Sequence, residues 1–156
     1  PKIPLTVMGD QGDDAYLNQL RATAKAGGCE DALQFAEPVR PEELFELFQE
    51  YDCLVFPSTY EPFALTLILA LDAGIPTIAT AVGGNVEIVS DAESGLLMPV
   101  VDVLGMAQRI ERLSTDPELR CQLSQGGRKA AAEFSFNRMI AATELALGRV
   151  VHNASN

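Results

Sequence analysis

The chain has 156 residues, enough for one domain with a single core, and 47% of them are hydrophobic, so a folded globular state is expected. Its 22 acidic residues against 11 Lys and Arg give a net charge of −11, which argues against nucleic acid or an anionic membrane surface as a partner. No apolar run approaches a membrane span and no signal-peptide pattern is present, so no direct membrane insertion is expected. The three scattered cysteines, Cys29, Cys53 and Cys121, read as reduced thiols of a cytoplasmic protein, with no metal-ligand spacing.

In chain order, Ile3 to Met8 is apolar and β-prone and predicts a first strand. Gly9-Asp10-Gln11-Gly12 follows as a loop, and Asp13 or Asp14 can cap a helix over residues 15–26 that ends at Gly27-Gly28. Leu33-Gln34-Phe35 predicts a short strand with Glu37-Pro38-Val39-Arg40 as its exit loop. Pro41 and the acidic pair Glu42-Glu43 suit the first turn of a helix running to about Tyr51. Leu54-Val55-Phe56 predicts a buried strand that breaks at Pro57. Leu65 to Leu71 reads as a helix, with Gly74 as its stop signal and Pro76 preventing continuation.

Thr77-Ile78-Ala79 is the next strand. Ala81 to Gly84 is a glycine-containing loop, and Asn85 can cap a short helix through Val89. Glu87 is expected to support that loop by hydrogen bonds. Gly95 to Met98 is the last strand, and three helical stretches follow: about 103–113, 117–134 and 137–150. Residues 151–156 read as a frayed tail. Strands alternating with helices predict an α/β fold with a doubly wound parallel sheet over residues 1–150.

One acidic residue stands out. Glu61 lies in the loop beyond the carboxyl end of the Leu54 strand, the edge where open α/β sheets bind ligands. Read alone, it is either a ligand contact or a cap for the helix that follows. Ser58 and Thr59 read as residues that satisfy loop backbone groups. The only histidine, His152, is in the tail, and no nucleophile motif or His/Cys/acid cluster suggests a catalytic triad or a metal site.

Glu61-Pro62-Phe63-Ala64-Leu65, Ala70, Gly74-Ile75-Pro76, Gly83-Gly84 and Glu87 together resemble the signature of the retaining family 4 glycosyltransferases. The resemblance covers nearly the whole chain. It implies a Rossmann-like domain, the C-terminal half of a GT-B architecture, that binds a nucleotide diphosphate sugar as substrate and needs no cofactor or metal. Glu61 would be the catalytic-site carboxylate that holds the donor sugar. The amides of Phe63, Ala64 and Leu65 would face the diphosphate or sugar. Gly9 would belong to a loop close to bound nucleotide, although by itself it marks only a strand-to-helix turn. Val39 would pair with the base through its backbone, and Arg40 reads as a solvated surface residue.

The chain departs from the family at Leu69, where a second glutamate, eight positions after the first, would accept hydrogen bonds from the ribose. Leucine accepts none. Thr66 or Asp72 is a candidate stand-in. The family's N-terminal acceptor domain and its basic pair for the diphosphate do not occur in this chain, which begins at Pro1, so the chain is expected to be a piece of a longer protein and to bind donor at most. The resemblance also implies that the last helix crosses to that other domain, leaving an apolar face uncovered here. The rival readings are a catalytically degenerate module with a binding or regulatory role, a GT-B sugar-nucleotide epimerase, and a generic flavodoxin-like domain, which would not require Glu-Pro-Phe.

Overall fold

The computed structural model describes residues 2–9 and 12–154, with side chains through residue 150. Asp10 and Gln11, which belong to the expected Gly9 loop, lie outside the described residues, as do 155 and 156 of the expected tail. The chain divides into two compact units, 1–43 and 44–156.

The first unit holds two parallel strands and one helix. Strand β1 (Leu5–Met8) pairs with β2 (Leu33–Ala36), Val7 opposite Phe35. Helix α1 (Asp14–Ala26) joins them, and of the two acids able to cap it, Asp13 does so, accepting from the Tyr16 amide at 3.1 Å. The Arg21 guanidinium sits 4.4 Å from the centre of the Phe35 ring and so fixes the helix face over β2.

The helix expected to run from Pro41 to Tyr51 is broken. Pro41–Glu43 is a 3-10 turn in the first unit; in the second, α2 (Leu44–Leu47) is a single α turn, followed by a 3-10 turn over Phe48–Glu50. The local reason is Arg40. Its amide and side chain both bond to the Glu43 carboxylate, and its guanidinium pairs with Glu42 at 3.4 Å, which holds a tight turn there. These bonds also hold the Glu43 carboxyl below its usual pKa. Arg40 is thus the exposed, paired surface residue that the sequence suggested.

The second unit is built on three parallel strands in the order β3 (Leu54–Phe56), β4 (Thr77–Thr80), β5 (Leu96–Met98). Strand alternation supplies two apolar faces. Leu54, Phe56, Ala79 and Leu97 pack with α3 (Leu65–Ala73), α4 (Asn85–Ile88) and the end of α6 (Pro117–Ala132). Val55, Ile78, Leu96 and Met98 pack with α5 (Val103–Thr115) and the start of α6. Helices therefore cover both faces, as a doubly wound sheet requires. All strand pairings in both units are parallel.

Helices α3 and α6 approach closely because Gly127 has no side chain: a Cβ there would lie 3.1 Å from Leu71 Cδ2. Gly74 ends α3 at φ 78°, the left-handed stop expected of it. Cys53 is drawn into the apolar face beside Val55, and burial together with the Asp52 charge pushes its thiol up to about 12. Cys29 and Cys121 are exposed.

Two expectations for the helices are corrected. Asn85 is the first residue of α4 rather than its cap; its side chain turns inward and donates to the Thr80 carbonyl at 3.0 Å. The last helix, α7 (Phe136–Ala154), runs past the expected end at Val150 into the segment read as frayed. Its apolar residues are uncovered, Phe136 being 70% and Leu145 60% exposed, as the sequence anticipated for this stretch.

Leu71 is fully buried between α3 and α6. Leu71→Ala should therefore lower unfolding free energy by about 2–5 kcal/mol in a urea titration followed by far-ultraviolet circular dichroism. A loss under about 1 kcal/mol would mean that the α3–α6 seam is not part of the core.

Candidate functional site at the carboxyl edge of the second sheet

The loops that leave β3 and β4 at their carboxyl ends carry most of the sequence-predicted site residues. The β3–α3 loop runs from Pro57 to Ala64, and the β4–α4 loop from Ala81 to Gly84. The two are pressed together backbone to backbone. The Gly84 amide donates to the Glu61 carbonyl at 2.9 Å. A Cβ on Gly83, which has φ 45°, would lie 1.9 Å from the same carbonyl oxygen. A Cβ on Gly84 would lie 2.6 Å from the Pro62 carbonyl oxygen. Both positions therefore need glycine for a steric reason, and the first also for its backbone angle.

Glu61 lies at the carboxyl edge of this sheet, and its carboxylate is uncommitted. Among the described residues it takes part in no ion pair and no hydrogen bond. The capping role open to it from sequence is not realised: the residue at the N-cap of α3 is Ala64, with no side-chain cap. Leu67 and Ile68 both donate to the Ala64 carbonyl, at 3.1 and 3.2 Å. The amides of Ala64, Leu65 and Thr66 have no acceptor among the described residues. A nine-residue helix thus begins beside a free carboxylate with unpaired N–H groups, an arrangement that can receive an anion and hydroxyl groups together.

Phe63 is half exposed, and its ring meets Phe134 edge to face at 5.9 Å, which anchors the loop to the end of α6. Ala64 is buried and Leu65 is 67% exposed, so the two differ in side-chain role while sharing the helix start. Leu69 lies one to two turns into α3. It packs with Leu44 and Leu54 on the cluster of Phe48, Ala70, Ala73 and Ile75. Asp72 is exposed, outside that cluster, and Thr66 is partly buried in the first turn of α3.

In the first unit, Gly9 and Val39 both follow the carboxyl ends of their strands. Gly9, at φ 153°, donates to the Ala36 carbonyl at 3.3 Å, and Val39 is partly buried.

Glu87 does not do what the sequence suggested. It is exposed and its side chain makes no hydrogen bond among the described residues; the loop is supported instead by Gly84 and by the Asn85 side chain. Nor do Ser58 and Thr59 use their hydroxyls. The Ser58 carbonyl is the group engaged, accepting from the Thr80 hydroxyl. Thr80 went unremarked in sequence, where it reads only as a β-branched strand residue; its burial, at 1% exposure, is what marks it.

A separate concavity of about 310 Å³ lies at the opposite, amino edge, lined among others by Tyr51, Gly74, Arg120 and Arg128. Its arginines are spent on helix ends, Arg120 donating to the Leu113 carbonyl and Arg128 to the Ala73 carbonyl at 3.2 Å. Among the described residues no group of three His, Cys, Asp or Glu stands close enough to hold a metal ion, and no helix is long and apolar enough to cross a membrane.

This parallel α/β domain, with an acidic loop and an open helix start at its sheet edge, is Rossmann-like and makes up half of a GT-B architecture. The chain superposes on the sucrose-phosphate synthase of Thermosynechococcus elongatus with a TM-score of 0.77 at 29% identity, covering 98% of this chain and 39% of that one. It matches Anabaena Alr3699/HepE, solved in complex with UDP-glucose, with a TM-score of 0.81 at 22% identity over 94% of this chain and 42% of that one. The family profile of the glycosyl transferases group 1 matches residues 1–130. The D-inositol 3-phosphate glycosyltransferase of Stackebrandtia nassauensis is 34% identical over 139 residues, 88% of this chain and 31% of the relative. That of Acidothermus cellulolyticus is 36% identical over 122 residues, 78% of this chain and 27% of the relative. The chain belongs to the glycosyl transferases group 1 family, and it spans about a third of the length of these relatives.

Gly83→Ala should place a methyl group on the Glu61 carbonyl. The β3–α3 loop must then shift, and stability should fall by about 1–3 kcal/mol. In a ¹⁵N–¹H spectrum the largest amide shifts outside the mutated loop should fall on residues 61–65. An unshifted 61–65 segment would show that the two loops are not in contact.

Proposed function

We propose that this chain is the donor-binding domain of a glycosyltransferase that takes a sugar from a nucleotide diphosphate and transfers it with retention to a glycan, lipid or small-molecule acceptor. The observation that carries the reading is the free Glu61 carboxylate beside the open start of α3. In this reading the diphosphate meets the amides of Ala64, Leu65 and Thr66. Helix N-terminal amides are attractive to a phosphate because they are unpaired donors at the positive end of the helix dipole, worth about 0.3–1 kcal/mol and up to about 2 when partly buried. In a chain of net charge −11 such a local device matters, since the long-range field repels the ligand.

Glu61 accepts hydrogen bonds from the sugar hydroxyls. The structural neighbour that holds UDP-glucose supports a nucleotide sugar as donor. Catalysis then rests on holding the donor in place and stabilising the departing diphosphate. The acceptor and the remaining positive charge come from a further domain of the same protein, for which the uncovered apolar face of α7 is a docking surface.

Leu69 favours a second reading, a module that binds without turnover. The leucine is partly buried against an apolar cluster, so in this reading packing stands where the resemblance expects the ribose carboxylate. Losing a charge-assisted hydrogen bond costs roughly 1.5–3 kcal/mol, about 10- to 100-fold in affinity.

Titration calorimetry with UDP-, GDP- and ADP-glucose and the bare diphosphates tests both readings. Glu61→Ala should weaken binding of the sugar nucleotide while leaving the diphosphate nearly unchanged. Leu69→Glu should tighten both by on the order of 1–2 kcal/mol, after desolvation, and lower folding stability by roughly 1 kcal/mol through lost apolar contact. A Glu61→Ala variant with unaltered sugar discrimination would overturn the donor-sugar role. Binding without sugar transfer, by a longer protein containing this chain, would select the second reading.

A further inference from the structure

We propose that Thr80 is a positioning residue for Glu61, acting through a ring of hydrogen bonds that fixes the β3–α3 loop at two points; the inference rests on the donor-binding reading and adds to it the residue that sets the loop. The last residue of the central strand β4 is the node. Its buried hydroxyl donates to the Ser58 carbonyl at 2.5 Å, reaching beyond the end of β3 rather than into the sheet. Its own carbonyl accepts twice, from the Val82 amide at 2.9 Å and from Asn85 Nδ2 at 3.0 Å. The turn thus held delivers the Gly84 amide to the Glu61 carbonyl at 2.9 Å. Ser58 and Glu61 are three residues apart, so the loop segment between them is tied at each end to one rigid turn, with no bond spent on the Glu61 side chain.

Asn85 points the same way. It is fully buried, and its Oδ1 has no partner among the described residues. A buried acceptor left unpaired costs stability, so the side chain is held there for its bond to Thr80 rather than for packing. Packing alone would equally accept valine at position 80; only the hydroxyl can hold Ser58. The backbone of Glu61 is therefore fixed by Thr80, while its carboxylate stays free for ligand.

The test uses this chain with Thr80→Val, which keeps the shape and removes the hydroxyl, and Thr80→Ser, which keeps the hydroxyl. Native-state hydrogen exchange reads the lacing without any ligand. Thr80→Val should speed exchange at the Gly84 amide by about tenfold, the loss of one bond, while Ile78 and Ala79 in the same strand keep their protection. Thr80→Ser should restore Gly84. Calorimetry with UDP-, GDP- and ADP-glucose and their diphosphates reads the function. Thr80→Val should lose the preference for sugar nucleotide over diphosphate, and Thr80→Ser should recover it.

Unchanged exchange at Gly84 overturns the proposal, and so does a uniform loss across β4, which would mark an ordinary core residue. If Gly84 responds but the unsubstituted chain prefers no sugar nucleotide, the lacing stands and the donor-sugar reading of Glu61 fails. If that preference exists and survives Thr80→Val, Thr80 does not position Glu61 for the sugar.

Discussion

The contact on which the site depends is the close approach of two loop backbones, the Gly83-Gly84 turn against the peptide units of Glu61 and Pro62. At the separations observed, no side chain fits between them. The approach ties down the acidic loop that leads into α3. It fixes that loop through its backbone, which leaves the Glu61 carboxylate free. Had the loop been held by the carboxylate itself, as a helix cap would hold it, the group would be unavailable to a ligand. The two glycines thus let the backbone of Glu61, rather than its carboxylate, carry the contact.

The sheet beneath makes this possible. Parallel strands send both loops out at the same edge, and α3 packs closely along the buried face of α6. Gly127 lets those helices touch, and Gly74 ends α3 cleanly before β4 begins. The amino edge is finished differently. There Arg120 and Arg128 of α6 each donate to a carbonyl at the end of another helix, which stabilises the fold.

Much of this was legible in the sequence. The strands were found within a residue or two, because short apolar runs between turn residues have few alternatives. The position of Glu61 at the carboxyl edge was readable from its place after a strand, and the fold class from alternation alone. What failed had local causes. The helix after Pro41 is broken, since Arg40 binds Glu42 and Glu43 in a tight turn that propensity does not register. Asn85 looked like a cap, yet its side chain faces inward. Glu87 looked like a loop brace, and the bracing comes from a glycine amide, which no side-chain pattern announces. Thr80 was invisible because a buried hydroxyl bound to a distant carbonyl looks like any β-branched strand residue. The place of Leu69 in an apolar cluster also needed three dimensions, since Phe48 and Ile75 lie on other elements.

In the proposed function, ligand phosphate is received at the open start of α3, near Glu61. A ¹⁵N–¹H titration of the chain with UDP, GDP and ADP and the corresponding glucose nucleotides tests it most directly. The amides of Ala64, Leu65 and Thr66 should shift with the bound diphosphate, and Glu61 and Gly84 should shift further when the sugar is present. Shifts confined to the residues around Arg120 and Arg128 at the amino edge, with the α3 amides unmoved, would contradict it.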